Sequence, residues 1–198
     1  MAAKKTTGRR VDGWKAKSWY KVYSPDNVGK VYLGETVADD PTKLVGRVMQ
    51  APLSELVNDY TKQNVKMKFA ITQVSGDAAY TSFIGHEIAR DFIRSLVKRR
   101  TSRIDSIVNF VSKDGYKVRA TVTCFTLTRA DQSQQHEIRR ILTEEILNFG
   151  RENELGVFVN NIINGELAKE LFKKVKGIHP IRRVEIIKTK VELPTSSQ

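Results

Sequence analysis

Residues 104–128, IDSIVNFVSKDGYKVRATVTCFTLT, hold two runs rich in β-branched and aromatic side chains, parted by Lys113, Asp114 and Gly115. A turn triplet between two such runs predicts a β-hairpin. In the second run Tyr116, Val118, Ala120, Val122 and Cys124 share one face, and Lys117, Arg119, Thr121 and Thr123 share the other. That is the period of two expected of a strand with one buried side. A second hairpin is read upstream. VKMKFAI (65–71) sets Val65, Met67, Phe69 and Ile71 against Lys66, Lys68 and Ala70, SGD (75–77) turns the chain, and AYTSFIG (79–85) returns. Two long hairpins point to an antiparallel sheet curled toward a barrel.

Helical periodicity accounts for most of the remainder. HEIARDFIRSLVKRR (86–100) puts Ile88, Phe92 and Leu96 in one row and Ala89, Ile93 and Val97 in the next, which predicts an amphipathic helix. The stretch 131–150 opens with an Asp131 to Gln134 capping box, buries Ile138, Ile141, Leu142 and Ile146, and is expected to stop at Gly150. A short helix is expected from about Leu53 to Tyr60, and two more in GVFVNNIIN (156–164) and ELAKELFKKVK (166–176), punctuated by Gly165 and Gly177. KVYLGET (30–36) reads as a strand ending at Gly34. IHPIRRVEIIKTKVEL (178–193) closes the chain as a strand in which Ile187, Thr189, Val191 and Leu193 oppose Lys188, Lys190 and Glu192. The fold class is α+β. Residues 1–12 read as a basic disordered arm, 13–193 as a single α+β RNA-binding domain and 194–198 as a frayed tail.

Charge sets the class of partner. The 198 residues carry 34 Lys plus Arg against 22 Asp plus Glu, a net +12 with pI near 9.8. The surplus is segregated: residues 1–21 carry +6, 86–103 carry +4 and 169–190 carry +6, while 131–154 are acidic. Segregated charge marks a binding footprint for a polyanion, whereas an even spread serves only solubility. No run of about 18 apolar residues occurs and the N-terminus lacks the apolar centre of a signal peptide, so a cytoplasmic chain is expected.

The candidate RNA-binding residues are therefore Lys4, Lys5, Arg9, Arg10, Lys15 and Lys17 of the arm, Lys98, Arg99, Arg100 and Arg103 after the second helix, and Arg182, Arg183, Lys188 and Lys190 in the last strand. Cations in a last helical turn gain roughly 0.3 to 1 kcal/mol each from the helix dipole, which explains one or two of the 98–103 group but not all four. Glu87 and Asp91 are placed to pair with Arg90 and Arg94, whereas Arg99, Arg100 and Arg103 have no such local anion. The plain alternatives are a solvated helix end and a solvated strand face. Trp19 is read as packing on the sheet; Trp14 reads equally as a stacking platform or as cover.

Catalytic readings find little purchase. Asp39 and Asp40 precede Pro41 in a turn, and Glu144 and Glu145 fall on the polar side of a helix. No nucleophile elbow, glycine-rich phosphate loop or dinucleotide fingerprint is present. His86, His136 and His179 lack ligand spacing, and Cys124, the single cysteine, reads as a core residue on a strand. Neither an enzyme nor a cofactor is expected.

Taken in order, WKAKSWYKVYSPDNVGKVYLGETVADDPTKLVGR (14–47), TSRIDSIVNFVSKDGYKVRATVTCFT (101–126) and GIHPIRRVEIIKTKVEL (177–193) resemble the small-subunit ribosomal protein family shared by archaea and eukaryotes, the S-three-A-e family. The chain stops soon after KVEL, without the longer basic extension typical of eukaryotic members, so the archaeal form is expected. The resemblance implies a place on the platform of the small subunit near the messenger exit and the 3′ end of its RNA. It also implies ribosomal RNA, neighbouring ribosomal proteins and messenger RNA near the exit as partners, and no catalytic residues. The alternative is a free RNA-binding regulator or chaperone outside the ribosome.

Overall fold

A computed structural model describes residues 17–192. The readings of the arm, of Trp14, of Leu193 and of the tail lie outside the described residues. The elements run β1 Ser18–Tyr23, β2 Tyr32–Ala38, β3 Val48–Pro52, α1 Leu53–Val57, β4 Val65–Ser75, β5 Ala78–Ile88, α2 Arg90–Leu96, β6 Arg103–Val111, β7 Lys117–Thr126, α3 Gln132–Glu152, α4 Leu155–Asn164, α5 Glu166–Val175 and β8 Ile181–Glu192. None of the described helices is long and apolar enough to cross a membrane.

Both predicted hairpins form. Gly76 (φ 56°) turns β4 into β5 and Gly115 (φ 81°) turns β6 into β7, left-handed positions that glycine adopts without strain. The eight strands make one α+β sheet in the order β2-β1-β5-β8-β7-β6, with β4 on the other edge of β5 and β3 beyond it. The sheet does not close into a barrel. Nor is it wholly antiparallel, because Lys21–Tyr23 of β1 run parallel to Ala78–Tyr80 of β5. Strand β5 thus gives one end to β1 and the other, Gly85–Glu87, to Lys188–Lys190 of β8.

Several boundaries differ from expectation, among them that of α1, which ends at Val57 and not near Tyr60. Strand β5 continues through Ile88, so the second helix is only Arg90–Leu96, and His86, Glu87 and Ile88 take strand geometry. Ladder pairing of Lys66 with Glu87 and of Val65 with Ile88 overrides the helical period. Helix α3 passes straight through Gly150, where a Cβ would lie 2.3 Å from the Phe110 ring: this glycine serves close packing on β6, not a helix stop. Gly34 falls inside β2, not at its end.

Helices α3, α4 and α5 cover one face of β6, β7 and β8. Ile104, Val108, Val118, Val122 and Cys124 from the strands meet Ile138, Leu142, Ile146, Phe158, Leu167 and Leu171 from the helices in one apolar core. Cys124 sits there as expected, its thiol pushed up to about 12 by burial. The predicted capping box at Asp131 and Gln134 starts α3, the Asp131 N–H donating to Gln134 Oε1 at 3.1 Å. A smaller cluster of Tyr20, Val22, Leu44 and Ile71 packs under β1 and β4. The outcome that matters for function is what is left uncovered on the opposite face of β6, β7 and β8, where Thr123 and Phe125 are buried but Asn109, Val111, Lys117, Arg119, Lys190 and Glu192 are exposed.

Candidate nucleic-acid interface

Register fixes the composition of that open face. Cross-strand partners form five rows across β6, β7 and β8: Val111, Lys117 and Glu192; Asn109, Arg119 and Lys190; Ile107, Thr121 and Lys188; Asp105, Thr123 and Glu185; Arg103, Phe125 and Arg183. Side chains in one row point the same way and stand roughly 5 Å apart. Lys117, Arg119 and Lys190 are exposed and, among the described residues, have no carboxylate within ion-pair distance. With Asn109, Val111 and Glu192 they line a trough of about 370 Å³. Three cations around a shallow concavity suit a phosphate chain, because like charges held this close are relieved by a polyanion.

The next row is neutralised internally. Lys68 Nζ donates to Glu87 Oε2 at 2.6 Å, and Lys188 Nζ lies 3.7 Å from the same oxygen. Hydrogen bonding and charge from Lys68 hold the Glu87 carboxyl below its ordinary range. The expected partner of Glu87 was Arg90; its strand position turns it instead toward Lys68 and Lys188. Asp91 keeps the expected pair with Arg94, at 3.8 Å.

The 98–103 group divides. Lys98, Arg99 and Arg100 are all exposed in the turn after α2, where Arg100 takes a left-handed φ of 62° and Thr101 Oγ1 donates to the Lys98 carbonyl at 2.7 Å. None of the three has an ion pair among the described residues. Arg103 belongs to β6 and, contrary to expectation, has a local anion: its Nε donates to Asp105 Oδ1 at 3.0 Å. Two residues along a strand share a face, a relation invisible while the segment is read as a helix end. Arg183 pairs in the same way with Glu185 and also stacks over Phe92, 5.3 Å from the ring centre. Arg182 Nη1 donates to the Leu96 carbonyl at 3.4 Å. That contact joins two patches 86 residues apart in sequence, so the 98–100 turn and the start of β8 form one continuous basic surface.

Lys17 and Lys188 are described, whereas Lys4, Lys5, Arg9, Arg10 and Lys15 lie outside the described residues. Trp19 does not pack on the sheet. It is 59% exposed, on the outward side of β1 with Lys21 and Tyr23. Lys117 and Arg119 were missed as candidates. Their alternation with buried residues was legible, but their convergence with Lys190 needs the β7–β8 register.

His86 is buried at the β5–β8 seam. Its Nε2–H donates to the Ile186 carbonyl at 2.8 Å, and Nδ1 accepts from Thr189 Oγ1 at 2.7 Å. Thr189 Oγ1 in turn accepts from the His86 backbone N–H at 3.0 Å. Burial holds the imidazole near 4, so it is neutral and structural, and its two nitrogens are already taken.

Comparison with known proteins meets this geometry with a single answer. The family model described as "Ribosomal S3Ae family" matches residues 5–194. Over 197 residues the chain is 89% identical to the small ribosomal subunit protein eS1 of Methanospirillum hungatei, covering 100% of both. Proteins of the same name from Methanoregula boonei and Methanosphaerula palustris are 55% and 53% identical over 192 residues, which is 97% of this chain and 96% and 97% of theirs. A likeness that runs nearly end to end, with relatives that are all archaeal, leaves one conclusion. The chain belongs to the ribosomal S3Ae family, in its archaeal form.

Proposed function

We propose that this protein is a structural constituent of the small ribosomal subunit in the cytoplasm, binding ribosomal RNA through the cationic outer face of β7 and β8 and the basic surface joining Lys98–Arg100 to Arg182. The observation that carries the reading is the full-length likeness to small-subunit proteins, with 89% identity across the whole chain. The register supports this reading: Lys117, Arg119 and Lys190 converge with Glu192 as the one carboxylate in their trough and with no ion pair among the described residues, and the turn at 98–100 adds three more cations without an ion pair. Such contacts neutralise backbone phosphates by shape and charge, with little base readout. The basic segment that holds Lys4, Lys5, Arg9, Arg10 and Lys15 adds further charge to the same task.

The finer placement follows the family: the platform, near the messenger exit and the 3′ end of the subunit RNA, among neighbouring ribosomal proteins, with messenger RNA passing close by. The role is architectural and involves no turnover. A sucrose gradient of lysate carrying the tagged protein tests the assignment. Sedimentation with the small subunit after a moderate salt wash supports it, and a peak at the top of the gradient bound to assorted transcripts supports a free RNA regulator.

A further inference from the structure

A second concavity has Arg183 in its lining. It opens between the start of β4, α2, the α4–α5 junction and the start of β8, and its volume is about 780 Å³, more than twice that of the trough. That falls inside the range of roughly 300–1,000 Å³ typical of clefts that enclose small organic groups. Its floor is apolar and aromatic, with Phe92, Phe172, Val65 and Ile162 all half-buried. The amides of Asn64 and Asn164 stand at its wall, neither taken by another side chain among the described residues. Each offers a donor and an acceptor.

Charge at the mouth is one-sided. Lys62, Lys169, Lys173, Arg182 and Arg183 line it with Glu185 as the one lining carboxylate; Glu185 is engaged by Arg183, and Lys62 pairs with Asp59 at 3.7 Å. Lys169 and Lys173 lie one turn apart on α5 with no ion pair among the described residues. The basic segment 1–16 is an unfit occupant, since its five cations and single Asp12 would meet like charge. Aromatic floor, amide edges and cationic mouth together match one chemistry: planar heterocycles strung on a phosphate chain. The Arg182 contact with Leu96 makes the mouth continuous with Lys98–Arg100, so the phosphates of such a strand have a track leading out of the groove.

We infer that this groove captures unpaired nucleotides of RNA, stacking bases on Phe172 and on the face of Phe92 that Arg183 does not cover, while Lys169, Lys173 and Arg182 hold the flanking phosphates. It is a site distinct from the trough of Lys117, Arg119 and Lys190, and it rests on the RNA-binding reading above. Stacking tolerates any base, so the selectivity is for unpaired over paired RNA.

The test compares a blunt RNA duplex with the same duplex carrying a four-nucleotide 3′ overhang that contains 2-aminopurine. The full chain is expected to bind the overhang form about tenfold more tightly and to change the 2-aminopurine fluorescence. Phe92→Ala, and independently the surface pair Lys169→Glu with Lys173→Glu, which touches no core, should each abolish that preference and leave blunt-duplex affinity within twofold. Equal affinity of the wild type for the two RNAs overturns the groove and leaves the RNA-binding reading standing. Loss of binding to both RNAs overturns that reading as well. Were a Glu- and Leu-rich amphipathic peptide to bind, with binding lost on Phe92→Ala while overhang preference persisted, the groove would belong to a protein partner and the inference would fall.

Discussion

Gly85 faces the Thr189 backbone so closely that a Cβ built on it would lie 2.1 Å from the carbonyl oxygen and 3.0 Å from the carbonyl carbon. The neighbour is main chain within a ladder and has no rotamer with which to yield. The β5–β8 seam has only three paired positions, and it links the two parts of the sheet. Gly85→Ala should therefore lower the unfolding free energy by on the order of 1–3 kcal/mol. Gly177→Ala, where nothing lies within 4 Å, should stay within about 0.5 kcal/mol. Urea denaturation followed by circular dichroism compares the two, and equal midpoints would refute the close approach.

Next to it, His86 gives the seam a pH dependence. Burial holds its pKa near 4 against an ordinary 6.5, so the unfolded chain takes up a proton between those values and the folded chain does not. Its contribution is complete above 6.5 and declines as pH falls toward 4, by about 3 kcal/mol in all. Glu87, whose depressed carboxyl loses its contribution only below its ordinary 4.5, acts in a lower window. Stability measured from pH 7 to 4 should fall steeply in the wild type and more shallowly in His86→Gln, which is less stable at pH 7. Parallel curves would show that His86 is not neutral in the fold.

Helix α3 is fastened to β6 through a missing side chain. At Gly150 a Cβ would lie 2.3 to 2.7 Å from three atoms of the Phe110 ring, and that ring stacks edge-on against Phe158 of α4 at 5.3 Å. Gly150→Ala should cost roughly 1–3 kcal/mol despite the higher helix propensity of alanine. Phe110→Leu in the same chain should recover part of the loss. A Gly150→Ala protein more stable than wild type in thermal unfolding would mean that the Phe110 ring gives way and the helix propensity of alanine prevails.

What could be read from sequence followed the range of the interactions. Local periodicity exposed both hairpins, the face of β7, the capping box and the apolar stripe of α3, because each depends on residues a few positions apart. It failed where a distant strand decides. Residues His86–Ile88 fit a helical row, yet β4 holds them as strand, and Gly150 has the profile of a helix stop, yet Phe110 explains it. The trough of Lys117, Arg119 and Lys190 depends on the register of two strands about 70 residues apart, and no window along the chain contains it. Trp19 was misjudged because alternation in β1 gives two faces without saying which one the sheet buries.

The same distinction separates arginines that look alike in sequence. Each phosphate contact adds about 0.7 to 0.9 to the slope of log affinity against log salt. Arg99 and Arg100 are exposed with no ion pair, and replacing both with Gln should flatten the slope by about 1.4 to 1.8 if each holds one phosphate. Arg103 is partly spent on Asp105, at 3.0 Å, and Arg183 on Glu185, so Arg103→Gln should change the slope by less than half as much as either neighbour. Removing the carboxylate reverses the sign: Asp105→Asn frees Arg103, and the slope should steepen. Filter binding of small-subunit RNA between 50 and 300 mM salt, values of the order used for such slopes, gives all three numbers. Equal losses from Arg99, Arg100 and Arg103 would mean that the Arg103–Asp105 pair opens on RNA, and the free-cation criterion that selects Lys117, Arg119 and Lys190 would lose its force.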